Sequence, residues 1–114
     1  MTNNGDRLYL EHILSCIRQI AAYIAGMDKQ SFDENALVQD GCIRQLEIIG
    51  EATKRVSDEL RTNNPHLPWK QMAGMRDVLI HDYLYVDLDI VWKTASESIP
   101  ALEPAIELLL KNTK

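Results

Sequence analysis

Between residues 6 and 25 the apolar side chains recur at helical intervals. Leu10, Ile13, Leu14, Ile17, Ile20, Ala21 and Ile24 line one face, with Glu11, Arg18 and Gln19 between them. A stripe of that length must be covered by other parts of the chain, so it commits the molecule to helix-on-helix packing. Asp6 is placed to cap this first helix. "GMDKQSFDEN" interrupts the period, and Ser31 with Glu34 three residues on reads as a capping box opening a second helix. Its stripe runs through Leu37, Cys42, Ile43, Leu46, Ile49, Ala52, Val56 and Leu60 until residues 63–65 stop it. Gly41 and Gly50 lie inside that helix, where each costs ~1 kcal/mol relative to alanine, which predicts close approach of another helix. A third helix is expected from Pro68 or Trp69 to about Tyr83, and a fourth over residues 88–98 with Asp87 as its cap. The last lies in "IPALEPAIELLLKN", with Pro100 and Pro104 near its start. No run alternates as a strand does. The expected fold is all-α, a bundle of four to five helices in a single domain over residues 1–114.

No apolar run approaches the ~20 residues that a membrane span requires. The N-terminal "MTNNGDRLYLEH" lacks the basic start and apolar block of a signal peptide, so a soluble, cytoplasmic protein is expected. Cys16 and Cys42 both fall within helical patterns and read as reduced, buried thiols. No Cys or His pair stands at ligand spacing, so no metal site is expected. The net charge of −5 disfavours broad affinity for nucleic acid, yet Lys54, Arg55, Arg61, Lys70, Arg76 and Lys93 remain available for a local patch. Trp69 and Trp92 are expected to cover the core or a dimer seam, and His12 and His66 to lie on the surface. Arg44, Glu47 and Glu51, three and four residues apart, are expected to form a salt-bridge row that also orients Arg76.

The unusual stretch is "GMRDVLIHDY", residues 74–83, which sets Arg76, Asp77, His81, Asp82 and Tyr83 among Met75, Val78, Leu79 and Ile80. At ~100° per residue Arg76 and Tyr83 share a helical face, whereas His81 is turned ~140° from Arg76. On one regular helix the three cannot point together. Either the helix distorts or ends near His81, or two copies of the chain assemble the group about a two-fold axis.

Arginine, four residues, histidine, one residue and tyrosine, as Arg76, His81 and Tyr83 stand here, resembles the signature of the HEPN superfamily in its HepT branch. The resemblance extends through "DRLYLEHILSCI", "RQLEIIGEATKRVS", "PHLPWKQMAGMRDVLIHDY", "VDLDIVW" and "IPAL", nearly the whole chain. It implies the toxin of a toxin–antitoxin system: a metal-independent ribonuclease, without cofactor, acting on RNA as a homodimer. Its implied partner is an MntA-like nucleotidyltransferase antitoxin that transfers AMP to the motif tyrosine. Carried over, Arg76 and His81 would be catalytic, Asp77 supporting and Tyr83 the modified hydroxyl; "YLYVD" departs from the family pattern in a second tyrosine, Tyr85, which offers an alternative acceptor. The residue types suit such chemistry. A group titrating near neutrality can activate a 2′-hydroxyl, and a fixed guanidinium can hold two oxygens of the phosphorane-like transition state. A second reading is a non-catalytic HEPN module that pairs with a nucleotidyltransferase and cuts nothing.

Overall fold

The computed structural model describes residues 4–75, 77, 80–82 and 85–113, with the backbone alone at Asn4 and at residues 80–82. The fold is all-α. Three long helices carry it: α1 (Asn4–Ile24), α3 (Ala36–Arg55) and, at the C-terminal end, α7 (Ile99–Lys111). Between them come the short α2 (Lys29–Asp33), α4 (Asp58–Asn63), α5 (Trp69–Ala73) and α6 (Leu88–Lys93). A π-helical turn, Thr94–Ser98, joins α6 to α7. Among the described residues no helix is long and apolar enough to cross a membrane.

The first helix is the axis of the bundle. Tyr23, at its end, packs on Gly41 near the start of α3, and Asp6, at its start, bonds Ser57 just beyond the end of α3, so the two helices run antiparallel. The same holds for α7. Arg7 Nη1 donates to the carbonyls of Leu110 and Thr113 at 3.2 and 2.8 Å, while Arg18 reaches Glu103 and Glu107 at 3.3 and 3.1 Å. Arg7 thereby adds a charged donor at the C-terminal end of α7, where carbonyls outnumber backbone donors. Leu10, Ile13, Ile17 and Ile20 are sealed between the neighbouring helices, together with Cys42, Leu46 and Ile49 of α3 and Ile106 of α7. Each such aliphatic side chain contributes about 1.5–3 kcal/mol by leaving water, which outweighs any local helix preference. Phe32 and Trp92 pack at 5.2 Å between ring centres, and buried Trp69 donates its indole N–H to the carbonyl of Asn64 at 2.8 Å. Cys16 and Cys42 are free and buried, and burial pushes the Cys42 thiol up to about 11.

Several helix boundaries differ from those expected of the sequence. Asp6 does not cap α1; it lies in the first turn and turns its carboxylate to Ser57. The capping box forms three residues earlier than expected, with Asp28 as the cap and Ser31 as its reciprocal partner, and Asn35 caps α3. Both hydrogen bonds from Ser31 hold the Asp28 carboxyl below its ordinary range. The long second helix breaks at Val56 and Ser57, and Ser57 caps α4 ahead of Asp58 and Glu59. Leu37, expected on the buried stripe, is 83% exposed.

The largest departure concerns the third helix. It ends at Ala73 with Gly74 as its C-terminal cap, rather than running to Tyr83. Farther along, β1 (Ile80–Asp82) pairs antiparallel with β2 (Tyr85–Val86), a strand pair that no alternation in the sequence announced. The stretch is too short for a period-2 pattern to show.

Candidate active site

The candidate site lies along the segment from α5 to α6. The Gly74 N–H bonds the carbonyl of Lys70 and closes α5, and Met75 follows as a buried anchor, 8% exposed. Asp77 is exposed. The chain then enters β1, where Ile80 is paired with Val86 and Asp82 with Tyr85. One residue separates the paired positions on β1 and none separates them on β2, so His81 is the additional residue of a bulge. A bulge of this kind bends the strand that carries it. After β2, Asp87 turns the chain into α6 by accepting the N–H groups of Asp89 and Ile90.

This backbone changes the geometric problem posed by the motif. The ~140° offset assumed that Arg76 and His81 lie on one continuous helix. His81 instead has an extended backbone, so helical spacing does not fix its direction. Arg76 and Tyr83 lie outside the described residues. Tyr85, on β2, is 72% exposed.

One cleft borders these elements and another lies on a different part of the bundle. The first, about 580 Å³, is lined by Lys70, Gln71, Gly74, Met75 and Asp77 on one side and by Thr94 and Ser98 of the π-helical turn on the other. Asp77 and Lys70 thus share a rim directly beside the motif. The second, about 430 Å³, lies between α1 and α3 and is lined by Tyr9, His12, Arg44, Glu47, Ile48, Glu51, Ala52 and Arg55. The salt-bridge row expected of Arg44, Glu47 and Glu51 does not form among the described residues. Glu51 instead meets Lys54 at 3.7 Å. Nor do the candidate cations form one free patch, since Lys54 pairs with Glu51 and Arg61 with Asp58.

Tyr9 and His12 carry no sequence signal that would have joined them to Arg44. Only the antiparallel packing of α1 on α3 brings them to one cleft. Arg44 is also close enough to Cys16 to draw that thiol's pKa down, against the larger upward push of burial.

A family model described as "Ribonuclease HepT-like" matches residues 13–109, a span that includes the motif. Two proteins that carry the name "Putative RNase" are similar to the chain along almost all of its length. One, from Methanocaldococcus jannaschii, is 40% identical over 98% of this chain and 97% of its own. The other, from Caldanaerobacter subterraneus subsp. tengcongensis, is 39% identical over 95% and 96%. A protein of Thermococcus cleftensis named "Probable ribonuclease HepT" is 41% identical over 90% of this chain and 94% of its own. No solved structure matches the chain.

Proposed function

The chain belongs to the HepT-like ribonuclease family, and from that membership we propose that it is a metal-independent endoribonuclease, the toxin of a toxin–antitoxin pair. Residues 1–114 act as one HEPN domain in the cytoplasm and work as a homodimer. The observation that carries the reading is the family match across residues 13–109, which spans Arg76, His81 and Tyr83 in their motif order. The strand backbone at His81 is compatible with it, because the ~140° helical offset holds only where one continuous helix runs through that position.

In this mechanism an RNA 2′-hydroxyl loses its proton to one His81 as its oxygen bonds to the adjacent phosphorus. The bond from phosphorus to the 5′-oxygen breaks, and a proton passes to that oxygen, leaving a 2′,3′-cyclic phosphate and a 5′-hydroxyl. A two-fold dimer supplies two copies of His81, one for each proton. Arg76 holds the non-bridging oxygens as charge gathers on them. Asp77, exposed on the neighbouring rim, supports the site. The partner is an MntA-like nucleotidyltransferase antitoxin. The Tyr83 oxygen attacks the α-phosphorus of ATP, pyrophosphate leaves and the phenolic proton is lost, which places a bulky anion where RNA phosphate must sit.

Purified Arg76→Ala and His81→Ala should each lose at least about 100-fold of the parent's RNA-cleaving rate. Variants that cut RNA and arrest growth as the parent does would overturn the catalytic assignment. For the regulatory half, mass spectrometry after incubation with the cognate antitoxin and ATP should find one or more adenylyl groups on the peptide holding Tyr83. A gain confined to Tyr85 would move the site, and no gain would refute it. The net charge of −5 favours the second reading, a HEPN module that binds a nucleotidyltransferase without cutting RNA. A parent protein that is inert toward RNA and harmless when expressed alone would select it.

A further inference from the structure

The outer face of α3 carries a charge order that is left almost without ion-pair partners among the described residues. Asp40, Arg44, Glu47, Glu51 and Arg55 fall within about 80° of one another around the helix. Among the described residues Asp40, Arg44, Glu47 and Arg55 have no hydrogen-bond or ion-pair partner, and Glu51 has only the long contact to Lys54. Asp40, Arg44, Glu51 and Arg55 are all exposed. Beside them the α1/α3 cleft offers half-buried Tyr9 and Ile48 and buried Ala52, an apolar strip between charged margins.

Read along the helix, the charges at 40, 44, 51 and 55 run minus, plus, minus, plus. An antiparallel copy of α3, turned about a two-fold axis passing beside residues 47 and 48, sets each residue opposite the one whose number completes 95. Arg44 then faces the other copy's Glu51 (44 + 51 = 95), and Asp40 faces its Arg55 (40 + 55 = 95). At 1.5 Å of rise per residue the paired positions stand about 5 and 11 Å either side of the axis, within one continuous helix contact. Ile48 stands beside the axis, opposite the other copy's Glu47 (48 + 47 = 95). The two Glu47 residues also come near each other across the axis, a like-charge approach at the edge of the stripe.

We propose that this face of α3 is the homodimer interface, with Arg44–Glu51 and Asp40–Arg55 pairs formed between subunits. The occupant is a second copy of this chain rather than RNA, because glutamates interleave the arginines and leave the stripe with no net positive charge to hold a polyanion. The pairing rests on the homodimer reading above and gives it a location.

Sedimentation velocity on the full chain, over a dilution series, tests it. Arg44→Glu and Glu51→Arg, each alone, set like charges opposite one another twice per dimer and should weaken self-association by roughly tenfold or more. An equimolar mixture of the two should associate as the parent does, since each copy then meets its opposite charge, and so should the double variant. Circular dichroism of each variant checks that the helices remain. Single variants that dimerise as the parent does, or a mixture that fails to recover, would overturn the interface. If that happens while the parent is a dimer that cuts RNA, the nuclease reading stands without it. A parent that stays monomeric throughout overturns both.

Discussion

Asp6 has 2% of its surface exposed and accepts two hydrogen bonds from one serine, the Ser57 N–H at 2.8 Å and its hydroxyl at 2.6 Å. The Ser57 oxygen in turn accepts the N–H of Leu60 at 3.2 Å and so starts α4. One carboxylate thus ties the beginning of α1 to the joint between α3 and α4. Removing it would leave two donors in a largely dry site. Asp6→Ala should lower the unfolding free energy by about 2–3 kcal/mol in urea titration, and Asp6→Asn by less, because the amide oxygen still accepts one bond. An unchanged midpoint for the alanine variant would show that water replaces the carboxylate. This role could not be read from the chain, where Asp6 looks like any helix cap and its partner lies 51 positions away. The catalytic assignment has the opposite history. Arg76, His81 and Tyr83 were found through an ordered resemblance, and the contribution of the backbone is limited to His81, whose strand position removes a helical constraint.

The α1–α3 contact shows how far periodicity reaches at the level of elements. The buried stripes of both helices were legible because each faces a neighbour over many turns, so their burial repeats with the helix. The glycines inside the second stripe predicted close approach, and at Gly41 the cause is the Tyr23 ring. A Cβ built there would stand 3.0 Å from Tyr23 Cε2 and 3.3 Å from Cδ2. Two opposing effects meet at this position: alanine gains ~1 kcal/mol of helix propensity, and the ring must move aside. Gly41→Ala should therefore be neutral or destabilising in the parent but stabilising by about 1 kcal/mol in a Tyr23→Ala background. Equal effects in the two backgrounds, measured by urea unfolding, would remove the ring from the explanation. Short elements were less legible. The break at Val56 and the pairing of residues 80–82 with 85–86 depend on single caps and on two or three backbone bonds, which leave no period in the sequence.

Across the molecule, α1 is clasped by helices from both later parts of the chain, α3 on one side and α7 on the other. That arrangement explains why an all-helical fold was legible while the clefts were not. Helix content follows from local patterns, whereas Tyr9 and His12 join Arg44, and Thr94 and Ser98 join Asp77, only through the order in which helices pack. The C-terminal clasp has a further consequence. Arg7 donates to the carbonyls of Leu110 and Thr113, 103 and 106 residues away, so α1 has to wait for α7, far along the chain, before its apolar face is closed. The finished fold therefore depends on α7, and a chain in which α7 had not yet docked would hold α1 with one side of its apolar face still open to water.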